Sequence, residues 1–208
     1  MPILLLLLLL PISLQAQSLR GGIAFSDIYS APFISPHQYQ LQPVVGLHFK
    51  LRTLQDTLWI LEYEIGFQEK GYATQQDVAG QHQDYQLNFL YFYQQVMVSR
   101  QLSPLLDAYG GLGINVLLWP TLRTASDTIR MRDTYSSVDL SIIAGLRLFP
   151  ASRLSMDFRA SSSIFPVLRY EVFDDFGNPA GSKRGIRHLT LEATLMLNIY
   201  KNRKTMFR

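Results

Sequence analysis

The sequence predicts an all-β fold, an eight-stranded antiparallel up-and-down transmembrane β-barrel. Three observations carry that expectation. Eight segments alternate apolar and polar residues, and none of their apolar faces carries a charge. The connections between them alternate short with long and polar, as expected of short periplasmic turns and longer extracellular loops. The N-terminal apolar run from Ile3 to Leu10 is too short for a membrane helix, which needs about 20 residues.

Taken in order, the first strand is expected at Leu19 to Phe25, with Leu19, Ile23 and Phe25 outward and Arg20 inward. The second, Val44 to Leu51, turns Gly46, His48 and Lys50 inward. A turn at Thr53 to Thr57 leads to the clearest strand, Trp59 to Phe67. There Trp59, Leu61, Tyr63, Ile65 and Phe67 share one face, and Ile60, Glu62, Glu64 and Gly66 share the other. Side chains on a strand alternate faces, so this strand has one greasy side and one acidic side.

The fourth strand lies within Tyr85 to Val98 and is ambiguous in phase. Tyr85, Leu87, Phe89, Tyr91 and Tyr93 lie on one face, and Leu90, Phe92, Val96 and Val98 on the other. A β-bulge midway would reconcile the two faces. The fifth strand, Leu106 to Leu118, turns Asp107, Tyr109, Gly111, Gly113 and Asn115 inward. The sixth, Val138 to Leu148, does the same with Asp139, Ser141 and Arg147. The seventh, Leu154 to Ala160, does so with Ser155, Asp157 and Arg159. The eighth, Leu189 to Ile199, does so with Thr190, Glu192, Thr194 and Asn198. The long connections span Ser26 to Gln42, Gly71 to Asp84, Trp119 to Ser136 and Pro166 to Gly185.

Domain boundaries follow from the same reading. Residues 1–16 read as a secretory signal ending at Ala16, residues 17–200 as the outer-membrane barrel, and residues 201–208 as a basic tail. Charged residues make up only 17 % of the chain, below the roughly 25 % usual in soluble domains. Cysteine is absent, which excludes disulfides, thiolate metal sites and cysteine nucleophiles. The net charge of +3 and the lack of a basic run in the body of the chain argue against nucleic acid. The expected surroundings are outer-membrane lipid, with secretion-apparatus or surface proteins as candidate partners.

The residues of the third strand also carry a resemblance. Glu62 to Tyr72 reads EYEIGFQEKGY, similar to the hairpin edge of PorT-like outer-membrane β-barrel proteins of Bacteroidetes. Gly21-Gly22 in the first strand, Tyr91-Phe92-Tyr93 in the fourth, the Gly-rich Ala108 to Gly113 segment and Ala144-Gly145 fit the same layout. Gln95 stands where that family often has proline. The resemblance implies an eight-stranded outer-membrane barrel but no precise activity, and the family's namesake is linked to type IX secretion.

The candidate site is the set of inward charges, above all Glu62, Glu64, Asp157, Arg159 and Glu192. An eight-stranded barrel has an interior just wide enough for side chains to fill it. Charges held there must pair, so one reading is a salt-bridge plug and the other a narrow ion or proton path. No catalytic set, cofactor motif or metal spacing stands out. His37, His48, His82 and His188 lack ligand spacing. His188, Thr190 and Glu192 are the nearest thing to a lipid-hydrolase set, but threonine replaces serine and all three face the lumen. Gly110-Gly111-x-Gly113 falls within a strand rather than opening a helix. Interfacial girdles would explain many of the aromatics Trp59, Tyr63, Tyr85, Tyr91, Tyr93, Trp119, Phe149 and Tyr200, and the alternative is soluble sugar- or peptide-binding stacks. The expected role is structural or accessory, with loops that bind a partner or ligand. The alternatives are a secretion accessory and a soluble lipocalin-like barrel with an apolar interior.

Overall fold

The computed structural model describes residues 18–29, 40–51, 59–78, 81–123, 128–130, 136–173 and 179–199. Their regular structure is all strand: β1 (Ser18–Tyr29), β2 (Gln40–Leu51), β3 (Trp59–Val78), β4 (Gln81–Ser103), β5 (Leu106–Arg123), β6 (Thr128–Arg130), β7 (Val138–Leu148), β8 (Leu154–Ser163), β9 (Leu168–Phe173) and β10 (Pro179–Asn198). Eight of these follow one another as antiparallel neighbours in the order β1-β2-β3-β4-β5-β7-β8-β10, and β10 returns to β1. The closing seam runs from Ser18↔Asn198 to Tyr29↔Arg187. Closure leaves no open sheet edge where all eight strands are paired, so backbone N–H and C=O groups there pair within the barrel. The short strands β6 and β9 pair with β5 and β10 beyond the wall.

The first residue of β1, Ser18, and the last of β10, Asn198, lie at one end of the barrel, together with the tight β4–β5 and β7–β8 turns. Phe149 opens the second turn in a left-handed conformation (φ 55°), uncommon for a residue with a side chain. Its N–H donates to the Leu105 carbonyl at 2.9 Å, tying the two turns together. The opposite, loop end carries the extensions of β3, β4, β5 and β10.

Strand alternation sets the polarity of the wall. Ile23, Val45, Phe67, Val96, Leu112, Ile142, Phe158, Leu191 and Leu195 stand exposed on the outside. Arg20, His48, Glu62, Glu64, Asp107, Asp139, Arg147, Asp157, Arg159 and Glu192 are buried inside. This is the reverse of a lipocalin-like barrel. Glu62 and Glu64 are wholly enclosed, while Trp59 is 48 % exposed on the exterior.

The fold differs from the sequence reading in four respects. No bulge breaks the middle of the fourth strand, because β4 pairs with β3 without interruption from Trp59↔Arg100 to Val78↔Gln81. Leu87, Phe89, Tyr91, Tyr93, Gln95, Met97 and Ser99 all face inward, so both faces look apolar in sequence because the lumen itself is partly aromatic. The register shift lies instead on β5, where Leu118 is the extra residue between Tyr91↔Leu117 and Leu90↔Trp119; a second shift, at Leu102, sits beside the β4–β5 turn. The segment Gly71 to Asp84, expected as a loop, is mostly β-hairpin, and β5, β6, β9 and β10 likewise occupy parts of the expected long connections. Polar strand residues beyond the apolar band read as loop, although their backbones remain paired. Tyr91 and Tyr93 leave the expected girdle for the interior, at 1 % and 0 % exposure. Residues 1–16, His37, Tyr200 and the 201–208 tail lie outside the described residues.

Candidate functional site

Charged groups from six strands, with tyrosines from two more, meet in an ionic belt inside the barrel. Its construction begins with glycines. Inward Gly46 and Gly66 sit beside Tyr93 in one cross-strand row, and a Cβ at Gly46 would collide with the Tyr93 hydroxyl. Gly145 makes the same room for Tyr109. The two tyrosine rings can therefore lie against the wall, and their hydroxyls reach across it. Tyr93 donates to Glu64 at 2.8 Å and Tyr109 to Asp157 at 2.9 Å.

Glu64 from β3 lies at the centre. It accepts from Arg20 of β1 at 2.7 Å, and from Arg159 of β8 at 2.9 Å on one oxygen and 3.2 Å on the other. Arg20 also binds Glu192 of β10, lies 3.4 Å from Asp157, and donates through Nε to Thr194 at 2.9 Å. Gln68 donates to the other Glu192 oxygen at 2.9 Å. Arg159 reaches Gln95, the Tyr109 hydroxyl at 3.1 Å and Asp157 at 3.5 Å.

Glu62, one turn of the pleat nearer the chain ends, is held by both Arg147 terminal nitrogens at 2.9 Å. That two-point geometry is the strongest form of such a pair. Ser99 donates to Glu62 at 2.8 Å, and His48 contacts it through Nε2 at 3.0 Å. The guanidiniums of Arg147 and Arg159 also stack on the Tyr109 ring, at 5.3 and 5.4 Å. Four carboxylates (Glu62, Glu64, Asp157, Glu192) thus meet three guanidiniums, with the Lys50 ammonium 4.0 Å from Glu62. The formal charges of the belt, Lys50 included, sum to zero.

A smaller cluster occupies the lumen towards the loop end. Lys70 donates to Asp139 at 3.2 Å and sits over the Tyr91 ring at 5.2 Å. Asn115 also donates to Asp139, at 3.3 Å. His188 packs edge-on against Phe89 and Tyr91 and contacts the Tyr91 hydroxyl at 3.4 Å.

All five sequence-derived candidates, Glu62, Glu64, Asp157, Arg159 and Glu192, lie in the belt. Arg20 and Arg147 bind them as closely, and strand parity had already turned both inward. Gln68 and Lys70 were missed, although they continue the even-numbered face of Glu62 and Glu64. His188, Thr190 and Glu192 share the lumen face, but His188 is engaged by Tyr91 and Glu192 by Arg20 and Gln68. Among the described residues, no group of three or more His, Asp or Glu is arranged to hold a metal ion.

A closed eight-stranded barrel, apolar outside and ion-filled inside, has the form of an outer-membrane-type barrel. No protein-family model matches the chain, and no curated protein matches it in sequence. Among solved structures it is similar to Neisserial surface protein A, NspA, at a TM-score of 0.53 and 8 % identity, over 88 % of this chain and 96 % of that one. It also aligns with Ail, the attachment invasion locus protein of Yersinia pestis, at a TM-score of 0.48 and 12 % identity, over 86 % and 95 % of the two chains. A third match is the outer membrane protein OprG of Pseudomonas aeruginosa, at 0.42 and 13 %, over 86 % and 93 %. At these identities the NspA match bears on fold alone.

Proposed function

We propose that this chain is an outer-membrane barrel whose lumen is sealed by the ionic belt and whose activity lies in what its loop end binds. One observation carries this reading: Glu64 at the centre of the lumen is bound by groups from β1, β4 and β8, so opposite walls of the barrel are bonded through its middle. An ion path needs groups that exchange partners as the ion passes. Here each belt carboxylate is already held by donors from two or more strands. Breaking one pair while leaving its partner buried costs about 3–5 kcal/mol, which makes the belt a brace.

The apolar exterior supports the membrane assignment, because such a surface in water would be an aggregation hazard. The loops then face outward from the cell, and a partner or ligand meets them there. A second reading, an accessory of a type IX-like secretion apparatus, rests on the EYEIGFQEKGY resemblance. In the fold, Glu62, Glu64 and Lys70 of that motif face the lumen. The motif therefore supports a shared barrel build rather than a partner surface.

The test is a heat-modifiability gel on the outer-membrane fraction, with planar-bilayer recording of the purified protein. A band that shifts on boiling, together with an electrically silent bilayer, is the expected result. Steady conductance steps would overturn the sealed-lumen reading, and a soluble, unshifted protein would overturn the membrane reading.

A further inference from the structure

The wall parts at the loop end between β2 and β3. Their pairing stops at Val44↔Gln68, while β1–β2 pairing continues to Ser26↔Gln40 and β3–β4 pairing to Val78↔Gln81. Beyond the parting, β3 bends towards β1. The Gly71 N–H donates to the Ser26 hydroxyl at 2.7 Å, and that hydroxyl is 2.9 Å from the Gly71 carbonyl. The bend needs glycine, since a Cβ there would meet the Leu87 carbonyl and lie 2.8 Å from the Gln42 amide nitrogen.

A cleft of about 440 Å³ opens where the strands separate, within the usual range for small-ligand sites. Gln86 and Asn88 of β4 line it from the same outward face that carries Phe92, Val96 and Val98 lower down. The exterior therefore changes at this height from hydrocarbon to primary amide. Gln42 donates to the Asn88 side chain at 3.3 Å, and Gln86 to the same oxygen at 3.5 Å. Glu69 and Thr121 add a carboxylate and a hydroxyl.

Trp119 lines the cleft because of the bulge on β5. Without the extra residue Leu118, the alternation that turns Asn115 inward would turn Trp119 inward too. With it, Trp119 stands outside, 46 % exposed, opposite Leu90. Re-aiming a side chain beside a site is a characteristic use of a bulge.

We infer that this cleft is a carbohydrate site. The described residues that line it include no lysine or arginine, so an anionic ligand would meet Glu69 with no counter-charge. An apolar ligand would strip water from the amides without replacing their hydrogen bonds. Sugar hydroxyls suit the lining, donating to amide and carboxylate oxygens and accepting from amide N–H groups, while the C–H face of the ring rests on Trp119. A free oligosaccharide and the sugar of a membrane-anchored glycolipid offer the same hydroxyls. Only the second source rests on the membrane reading above.

The test uses the full chain with Trp59→Phe, which leaves Trp119 as the single tryptophan, since the sequence has 2. In detergent it is titrated with maltoheptaose and with core oligosaccharide released from lipopolysaccharide. In a second arm it is placed in phosphatidylethanolamine vesicles with or without lipopolysaccharide. The expected result is a saturable change in Trp119 emission in at least one arm. Asn88→Ala and Gln86→Ala should each weaken it about tenfold while keeping the boiling shift of a closed barrel. A response to free sugar identifies the glycan itself as the ligand, and a response confined to lipopolysaccharide vesicles identifies a glycolipid. No saturable change in either arm, or one that both alanine variants leave unaltered, overturns the site. The detergent arm reads the free glycan whether or not the chain proves to be an outer-membrane protein.

Discussion

The belt and the cleft are built on opposite terms. In the belt, charged groups from opposite walls are bonded to each other, and the side chains of Glu64, Asp157, Arg20 and Arg159 are fully buried. At the cleft the wall has parted and the groups are neutral amides beside one carboxylate, with Gln86 and Asn88 on the outward face of β4 and Gln42 buried. A buried charge network is over-determined: any single change leaves a charge without its partner. A row of outward amides is under-determined, because water or a ligand can complete it. The belt should therefore govern stability and the cleft recognition, and substitutions can set the two against each other.

The largest expected effect is at Glu64. Glu64→Ala leaves Arg20 and Arg159 buried together without their shared carboxylate. The unfolding free energy in lipid vesicles, measured by urea titration, should fall by about 3–5 kcal/mol. A loss below about 1 kcal/mol would show a hydrated belt and make an ion path the better reading. Next comes the exterior. Ile142 is 57 % exposed at the middle of β7, paired with Leu112 and Ser162. Ile142→Arg should cost about 2–4 kcal/mol in vesicles if that face meets the hydrocarbon midplane. A negligible cost would remove the exterior from the bilayer while leaving the interior argument intact.

A third substitution probes how the belt is fitted together. Gly46→Ala places a methyl group against the Tyr93 hydroxyl, and overpacking of this kind costs about 1–3 kcal/mol. Tyr93→Phe removes the clashing hydroxyl and its bond to Glu64 together. The double variant should therefore be more stable than the sum of the two single losses implies, by about 0.5 kcal/mol or more. Strict additivity would mean that the tyrosine moves aside at little cost.

These arguments mark how far the sequence could be read. Strand parity alone turned Glu62, Glu64, Asp157, Arg159 and Glu192 inward, because period-two alternation is local. Which of them touch was not legible. Arg20 and Glu192 are 172 residues apart and meet only once β10 closes on β1. The fourth strand misled for a physical reason: an interior built partly from Phe89, Tyr91 and Tyr93 has no polar face to give its phase away. The hairpin beyond Gly71 misled in the opposite way, since polar strands outside the apolar band carry the composition of loops. The cleft was invisible for both reasons, being formed by such strands and by a bulge on β5 that was sought on β4.

The smallest stability effect is the one that separates the regions most sharply. Asn88 is half-buried on the outward face of β4, and its side-chain oxygen accepts from Gln42 and Gln86 at 3.3 and 3.5 Å, both long contacts. The groups that lose it in Asn88→Ala are the neutral amides of Gln86, half-buried at the cleft where water can take its place, and of buried Gln42, which keeps its bond to the Gln40 side chain at 3.1 Å. The unfolding free energy should then change by no more than about 0.5 kcal/mol, as for surface positions without a special role. That near-zero result has force only beside the Glu64→Ala loss in the same vesicles. If Asn88→Ala instead unfolded the barrel, the amide cluster would be the latch that closes the parted wall between β2 and β3. The division of labour between belt and cleft would then fail, whatever the sugar titrations showed.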